Sequence, residues 1–337
     1  MPHGADDAMR ARRPAGALAW TRARLRNIAP FATLIFLVVF FSLASPSFVS
    51  TGNVANILTQ VSVTGIMAVG LTFVILCAEI DLSVASVANA TGIVVAFFTL
   101  QPVAGWLAIA IALAACAGLG LVNAFGITRI GIPSFIMTLA MLQIGAGICA
   151  LLVRGQIAYA VPPLIVTLGS KSLGPVPWIV VVAALVLLAG HLVLTYTRFG
   201  RYVYMVGGNR EAAEYSGVNV RLIISAVMVI SAVCSGVAGM LGVAYFGSAQ
   251  QNEFDTYLLD SISAVVVGGT SLFGGQGGIG NTIIGLFVLG VLNNGLDHVN
   301  IDSFLKILIR GVILLVALVI NVYAQRMRAT SASADAG

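Results

Sequence analysis

The sequence predicts an all-α polytopic membrane protein of about ten transmembrane helices with both termini cytoplasmic. Three observations carry the prediction. Only 9% of the residues are charged, against about 25% in soluble domains. Hydrophobic residues make up 59% of the chain and the mean hydropathy is +1.03. Apolar runs of the roughly 17–25 residues that cross a bilayer as a helix follow one another along its length. The period-two alternation of a transmembrane barrel is missing, and in lipid only helices or closed barrels satisfy the backbone.

Taken in order, the runs place spans at 28–45, 54–78, 82–100, 103–126, 132–153, 175–196, 221–247, 258–273, 279–297 and 304–324. Residues 1–26 lack apolar periodicity and are expected to form a disordered cytoplasmic segment, with 326–337 a cytoplasmic tail. The membrane domain is then 27–325. Interruptions at 79–83 and 273–279 read as loops or as breaks within discontinuous helices.

Positive charge orients the chain. With the N-terminus inside and sides alternating, all of the 17 lysines and arginines except Arg154, Lys171, Lys306 and Arg310 fall on the cytoplasmic side. A wrong span count scrambles this separation. The head of the chain, arginines followed by a short apolar run and SLASPS, resembles a secretory signal peptide, but the charge separation fits an uncleaved first span better. The basic balance therefore reflects topology, and no nucleic-acid partner is expected.

Residues 197–220 form the longest cytoplasmic loop. Within it GRYVYMVGGNREAAEYSGVNV (200–220) gathers Arg201, Arg210, Glu211 and Glu214 in an otherwise oily chain. Asn209 is a good N-cap, Glu211 lies in the first turn, and Gly217 is placed to end a helix. A helix of about two turns is too short to stand alone in water. It leans on its own bundle, or it offers Glu211, Glu214 and Tyr215 to a cytoplasmic partner.

This segment resembles the cytoplasmic coupling loop of ribose-type ABC importer permeases, the membrane subunits of monosaccharide uptake systems. AEIDLSVASV (78–87) is similar to the family's interrupted segment after the second span. AVVVGGTSLFGGQGG (264–278) with GVLNNGL (290–296) is similar to its C-terminal pattern. Glu79 and Ala85 stand where members often have glycine. The resemblance covers roughly 30–325. It implies a bacterial inner-membrane subunit, acting as a homodimer with two ATP-binding subunits and an extracytoplasmic sugar-binding protein. It also implies that Asn209, Arg210, Glu211, Ala212, Ala213, Glu214, Tyr215, Ser216 and Gly217 form the coupling helix.

The other motifs have two readings each. Asp81 precedes LSVASVANA and can cap the third span; with Glu79 it could instead share a proton, bind a cation or act in gating. The cost of charge in a bilayer places the pair near the cytoplasmic end. Lys306 and Arg310 share a helix face, and either snorkel outward or pair with Asp297, Asp302 or Asp260. Glu253 and Asp255 could meet basic residues of the delivering protein, or remain solvated. Gln60, Thr64, Asn89, Asn123, Gln143, Asn293 and Asn294 are polar groups within spans that suit a neutral polyol, and serve equally as interhelical glue. Glu79, Asp81, Asn123, Gly274, Gly275, Asn293 and Asn294 are the gating or translocation candidates.

No catalytic, metal or cofactor site is expected. Cys77, Cys116, Cys149 and Cys234 fall inside apolar runs without CxxC pairing. Lys171 and Lys306 lack the preceding glycine of a P-loop, and GQGGIG (275–280) lacks the strand and helix of a dinucleotide fold. An ion-coupled secondary transporter is the main rival. It favours inverted broken helices, whereas the interruptions near 80 and 275 lie on the same side.

Overall fold

The computed structural model describes residues 15–101, 103–154 and 161–334 of the chain. Among these, α-helices run over α1 Ala15–Ala44, α2 Thr51–Leu76, α3 Val84–Thr99, α4 Gly105–Phe125, α5 Ser134–Val153, α6 Pro163–Ser170 and α7 Trp178–Tyr196. They continue with α8 Arg198–Gly208, α9 Arg210–Tyr215, α10 Val220–Phe246, α11 Asp255–Val267, α12 Ile279–His298 and α13 Ser303–Ala334. A π-helical turn, Gly126–Ile130, extends α4. Strands β1 Ser172–Leu173 and β2 Val176–Pro177 pair as a small antiparallel hairpin.

Among the described residues six helices are long and apolar enough to cross a membrane: α2, α4 with its π-turn, α5, α7, α10 and α12. Pro30–Ala44 of α1 and Val84–Thr99 are shorter apolar helices. Each of the ten expected spans overlaps a helix. At 1.5 Å per residue, however, α3 is about 24 Å long and α11 about 20 Å, short of the roughly 30 Å hydrocarbon core.

The bundle is organised around α10, which packs against α2, α3 and α4. Large apolar side chains face outward on the peripheral helices, Leu43, Leu151 and Phe304 being 82%, 78% and 82% exposed. Lipid is as apolar as leucine, so packing rather than hydrophobic burial holds the interior, and small residues let backbones approach. A Cβ on Gly239 of α10 would collide with the Ala88 carbonyl of α3. One on Gly285 of α12 would collide with the Ala264 carbonyl of α11.

Five features differ from expectation. Helix α1 begins at Ala15 and α13 runs to Ala334, so helix extends into both ends expected to be irregular. Extending an existing helix needs no new nucleus. Residues 1–14 and 335–337 lie outside the described residues. The span expected at 258–273 is Asp255–Val267 instead, because Gly268 ends the helix and Gly269 takes φ +102°. Helix α6 lies in a stretch read as loop. The stretch expected as loop 197–220 is itself mostly helix: Thr197 caps α8, its Oγ1 accepting from Gly200 N–H at 3.1 Å, before α9 begins.

Candidate functional site

Three breaks in the helical chain meet at one end of the bundle. Helix α2 stops at Leu76 and the chain reverses through Ala78, whose φ is +59°. Between α11 and α12, Gly274, Gly275, Gly277 and Gly278 all take positive φ, a conformation that side-chain-bearing residues adopt only under strain. The third break is the α8–α9 junction. Gly275 N–H donates to the Leu76 carbonyl at 2.9 Å, and the Tyr204 hydroxyl of α8 donates to the Gly277 carbonyl at 2.9 Å. Gly207 is wedged where a Cβ would overlap the Leu76 carbonyl oxygen.

Helix α9 stands on this junction. Asn209 caps it, Oδ1 accepting from Ala212 N–H at 3.0 Å. At its other end Gly217 has φ +80°, Gly217 N–H bonds the Glu214 carbonyl, and Val218 N–H bonds the Ala213 carbonyl at 3.0 Å. That double closure is the Schellman pattern, with its two apolar residues, Ala213 and Val218, buried in the core. Glu211, Ala212, Glu214, Tyr215 and Ser216 are exposed, Tyr215 at 92%. Arg210, in the first turn, forms an ion pair with Glu79 beyond the end of α2.

Glu79 and Asp81 therefore part company. Glu79 turns to α9, while Asp81, 1% exposed, turns into the bundle. Its Oδ1 accepts from Ser83 N–H at 2.9 Å and from Ser83 Oγ at 2.6 Å. Its Oδ2 accepts from Ser231 Oγ of α10 at 2.7 Å. Ser231 is about eleven residues into α10, about 16 Å along its axis, so Asp81 lies deeper than the helix-end position expected. Nor does it cap α3, because Ser83 occupies that N-cap position. Asn123 of α4 donates from Nδ2 to Ser83 Oγ at 2.9 Å, and its buried Oδ1 has no protein partner. Ser134 and Thr138 of α5 hold the same segment, accepting from Ile80 N–H at 3.1 Å and Leu82 N–H at 3.0 Å.

The remaining amides fall elsewhere. Asn294 and Asn53 exchange reciprocal amide hydrogen bonds at 2.7 and 2.9 Å, tying α12 to α2. Asn89 accepts from Phe254 N–H and donates to Asp255, so that carboxylate meets α3 rather than standing clear. Gln143 is exposed on α5. Asn293 lies about 21 Å along α12 from Ile279, lining a cavity of about 150 Å³ with Gln60, Thr64, Thr256, Tyr257, Asp260, Asp297 and Arg310. Arg310 Nε donates to Asn293 Oδ1 at 2.9 Å and its guanidinium lies 3.5 Å from Asp260. Lys306 pairs with Asp297. Lys306 and Arg310 are thus both paired across helices, and Asp302 instead caps the start of α13.

The structure therefore joins Glu79, Arg210, Gly274 and Gly275 at one junction and links Asp81 to Asn123 through Ser83. It separates Asn293 from Asn294. Sequence reasoning missed Leu76, Tyr204, Gly207, Ser83 and Ser231. The Gly207–Gly208 doublet beside a second glycine cluster at 274–278 was the available signal for the junction. The serines carried none, because hydroxyls occur throughout membrane helices.

Residues 53–318 match the family described as branched-chain amino acid transport system / permease component. The ribose import permease protein RbsC of Escherichia coli (strain K12) is 37% identical over 306 residues, 90% of this chain and 95% of that protein. RbsC of Bacillus subtilis (strain 168) is 35% identical over 304 residues, 88% of this chain and 93% of that protein. The D-allose transport system permease protein AlsC of Escherichia coli is 33% identical over 295 residues, 86% of this chain and 90% of that protein. No solved structure matches the chain.

Proposed function

The chain belongs to the family of branched-chain amino acid transport system permease components, and from that premise we propose that it is the membrane subunit of an ATP-driven importer of a monosaccharide or related polyol. It is a multi-pass inner-membrane transport component, not an enzyme. Ten helical segments cross or enter the bilayer with both termini cytoplasmic, and ATP is hydrolysed in two separate ATP-binding subunits. A sugar-binding protein delivers the substrate from outside, and two copies of the chain form the pore.

One observation carries the coupling reading: a capped helix whose exposed face is joined by an ion pair to the turn after α2. Two turns of helix have no stability of their own in water. Here the buried closure at Ala213 and Val218 fixes α9 to the core, so a push on Glu211, Glu214 or Tyr215 is transmitted as rigid movement. The push reaches α2 through Arg210 and Glu79, and the segment before α12 through Gly207 and Gly275. Gly274 and Gly275 act as the gating hinge.

The polar cavity around Gln60, Thr64 and Asn293 suits a neutral polyol, whose hydroxyls need directional partners. The rival reading, an ion-coupled carrier, draws on the buried carboxylate of Asp81. Its Ser83 and Ser231 donors instead suit a fixed carboxylate that ties the segment after α2 to α10.

The test is affinity purification of the tagged chain in mild detergent. An ATP-binding subunit is expected to come with it, and Glu211→Arg with Tyr215→Ala to abolish the association. An intact chain that purifies without any such subunit overturns the coupling reading.

A further inference from the structure

At the end of the bundle that carries α9 lies a basic cavity outside the coupling junction. Arg129 is carried by the π-helical turn Gly126–Ile130, which stops at Gly131 with φ +85°. Arg221 sits in the first turn of α10. The two arginines line one cavity of about 390 Å³ with Thr128, Asn219, Leu222 and Ser225. Both are exposed, and among the described residues neither has a carboxylate at ion-pair distance. Thr128 and Ser225 bring their hydroxyl oxygens to 3.4 Å between them.

A second cavity, of about 450 Å³, adjoins the first. It shares Thr128, Arg129 and Ser225 with it and runs along α4 past Leu121, Val122, Ala124 and Phe125. Leu121, Val122 and Phe125 are 58%, 50% and 60% exposed. Leu121 precedes Arg129 by two helical turns, about 12 Å along the axis. The combined surface is thus charged at one end and apolar at the other.

We infer that this surface binds one anionic phospholipid, its phosphate against Arg129 and Arg221 and an acyl chain along Leu121, Val122 and Phe125. Guanidinium forks match phosphate oxygens in pairs, and basic pockets between transmembrane helices take such headgroups. Charge complementarity selects the anionic lipid over a neutral one, whose tail alone would fit the groove equally well. A free phosphate would use only the basic cavity. An acidic segment of a soluble partner would not reach Leu121, which lies on an apolar span. The site does not depend on the transport reading.

The experiment is native mass spectrometry of the full chain in detergent, titrated with phosphatidylglycerol or phosphatidylcholine. The chain is expected to retain phosphatidylglycerol in preference. Arg129→Gln with Arg221→Gln should weaken that binding roughly thirtyfold, the scale set by two basic residues near an anionic surface. The Arg129→Lys, Arg221→Lys pair should keep most of it, which separates lost charge from lost fold. An unchanged preference in the glutamine variant overturns the proposal. So does equal competition by glycerol phosphate, which would make this a site for soluble phosphates. Loss of a co-purifying ATP-binding subunit with lipid preference intact would also overturn it, by assigning the arginines to a protein contact.

Discussion

Arg210 forms an ion pair with Glu79 across 131 positions of sequence, joining the exposed helix α9 to the turn that ends α2. The two partners are unequal: the Arg210 side chain is 47% exposed and that of Glu79 only 7%. Arg210→Ala leaves a buried carboxylate without its cation, and such a stranded group costs about 1–3 kcal/mol. Glu79→Ala leaves an arginine that water can solvate, a loss of about 1 kcal/mol or less. Melting of the purified protein in detergent should therefore fall further for Arg210→Ala than for Glu79→Ala. The double variant should recover part of the difference, since neighbouring partners are not additive. Equal, additive losses would mean that the pair contributes nothing as a pair.

The glycines of α8 allow a sharper comparison. Gly207 has no room for a Cβ against the Leu76 carbonyl and Gly275, whereas nothing lies within 4 Å of the corresponding position on Gly208. Gly207→Ala must push α8 away from the junction, and overpacking of this kind costs about 1–3 kcal/mol or more. Gly208→Ala should be neutral or stabilising by up to about 1 kcal/mol, through the helix preference of alanine. Detergent melting curves of the two variants, adjacent in sequence, would separate close backbone packing from a general dislike of alanine in α8.

Much of this site was legible in the sequence because its local signals are strong. An N-cap asparagine and a terminating glycine bound α9 from Asn209 to Gly217, and apolar runs located a helix for each expected span. What sequence could not give was the meeting of residues 76–79, 207–210 and 274–278, since each cluster alone reads as a turn. Local patterns also misplaced Asp81. An aspartate just ahead of an apolar run has the form of a cap, but its acceptors are taken by Ser83 and by Ser231, 150 residues away. Partners that distant leave no trace in a local pattern.

Asp81 yields a third prediction, which also separates the two transport readings. Asp81→Asn keeps an oxygen for Ser83 and presents an amide to Ser231, whose hydroxyl can turn to accept. Uptake of the proposed sugar substrate by cells carrying this variant should fall by less than about tenfold, the scale of one weakened hydrogen bond. Asp81→Ala strands the Ser83 and Ser231 donors and should be severely destabilising. Abolished uptake in Asp81→Asn, with normal melting, would mean that the carboxylate's charge is used, as an ion-coupled carrier requires.

Adjacent asparagines on α12 give the last. Asn294 is buried against Asn53, the two amides holding each other by paired hydrogen bonds. Asn293, one residue earlier, faces the polar cavity and accepts from Arg310. Asn294→Ala takes the donor from Asn53 Oδ1 and leaves Asn53 Nδ2 only the Phe48 carbonyl, and interhelical hydrogen bonds in membrane proteins contribute about 0.6 kcal/mol each. That variant should melt lower, with the KM for sugar uptake unchanged. Asn293→Ala removes one acceptor from Arg310, which keeps Asp260, so melting should change little. If the cavity lies on the sugar's route, one lost hydrogen bond of about 1 kcal/mol should raise KM about fivefold. The assignment therefore rests on opposite readouts from neighbouring residues. An Asn293→Ala variant with unchanged KM would remove the cavity from the route, while leaving the coupling role proposed for α9 intact.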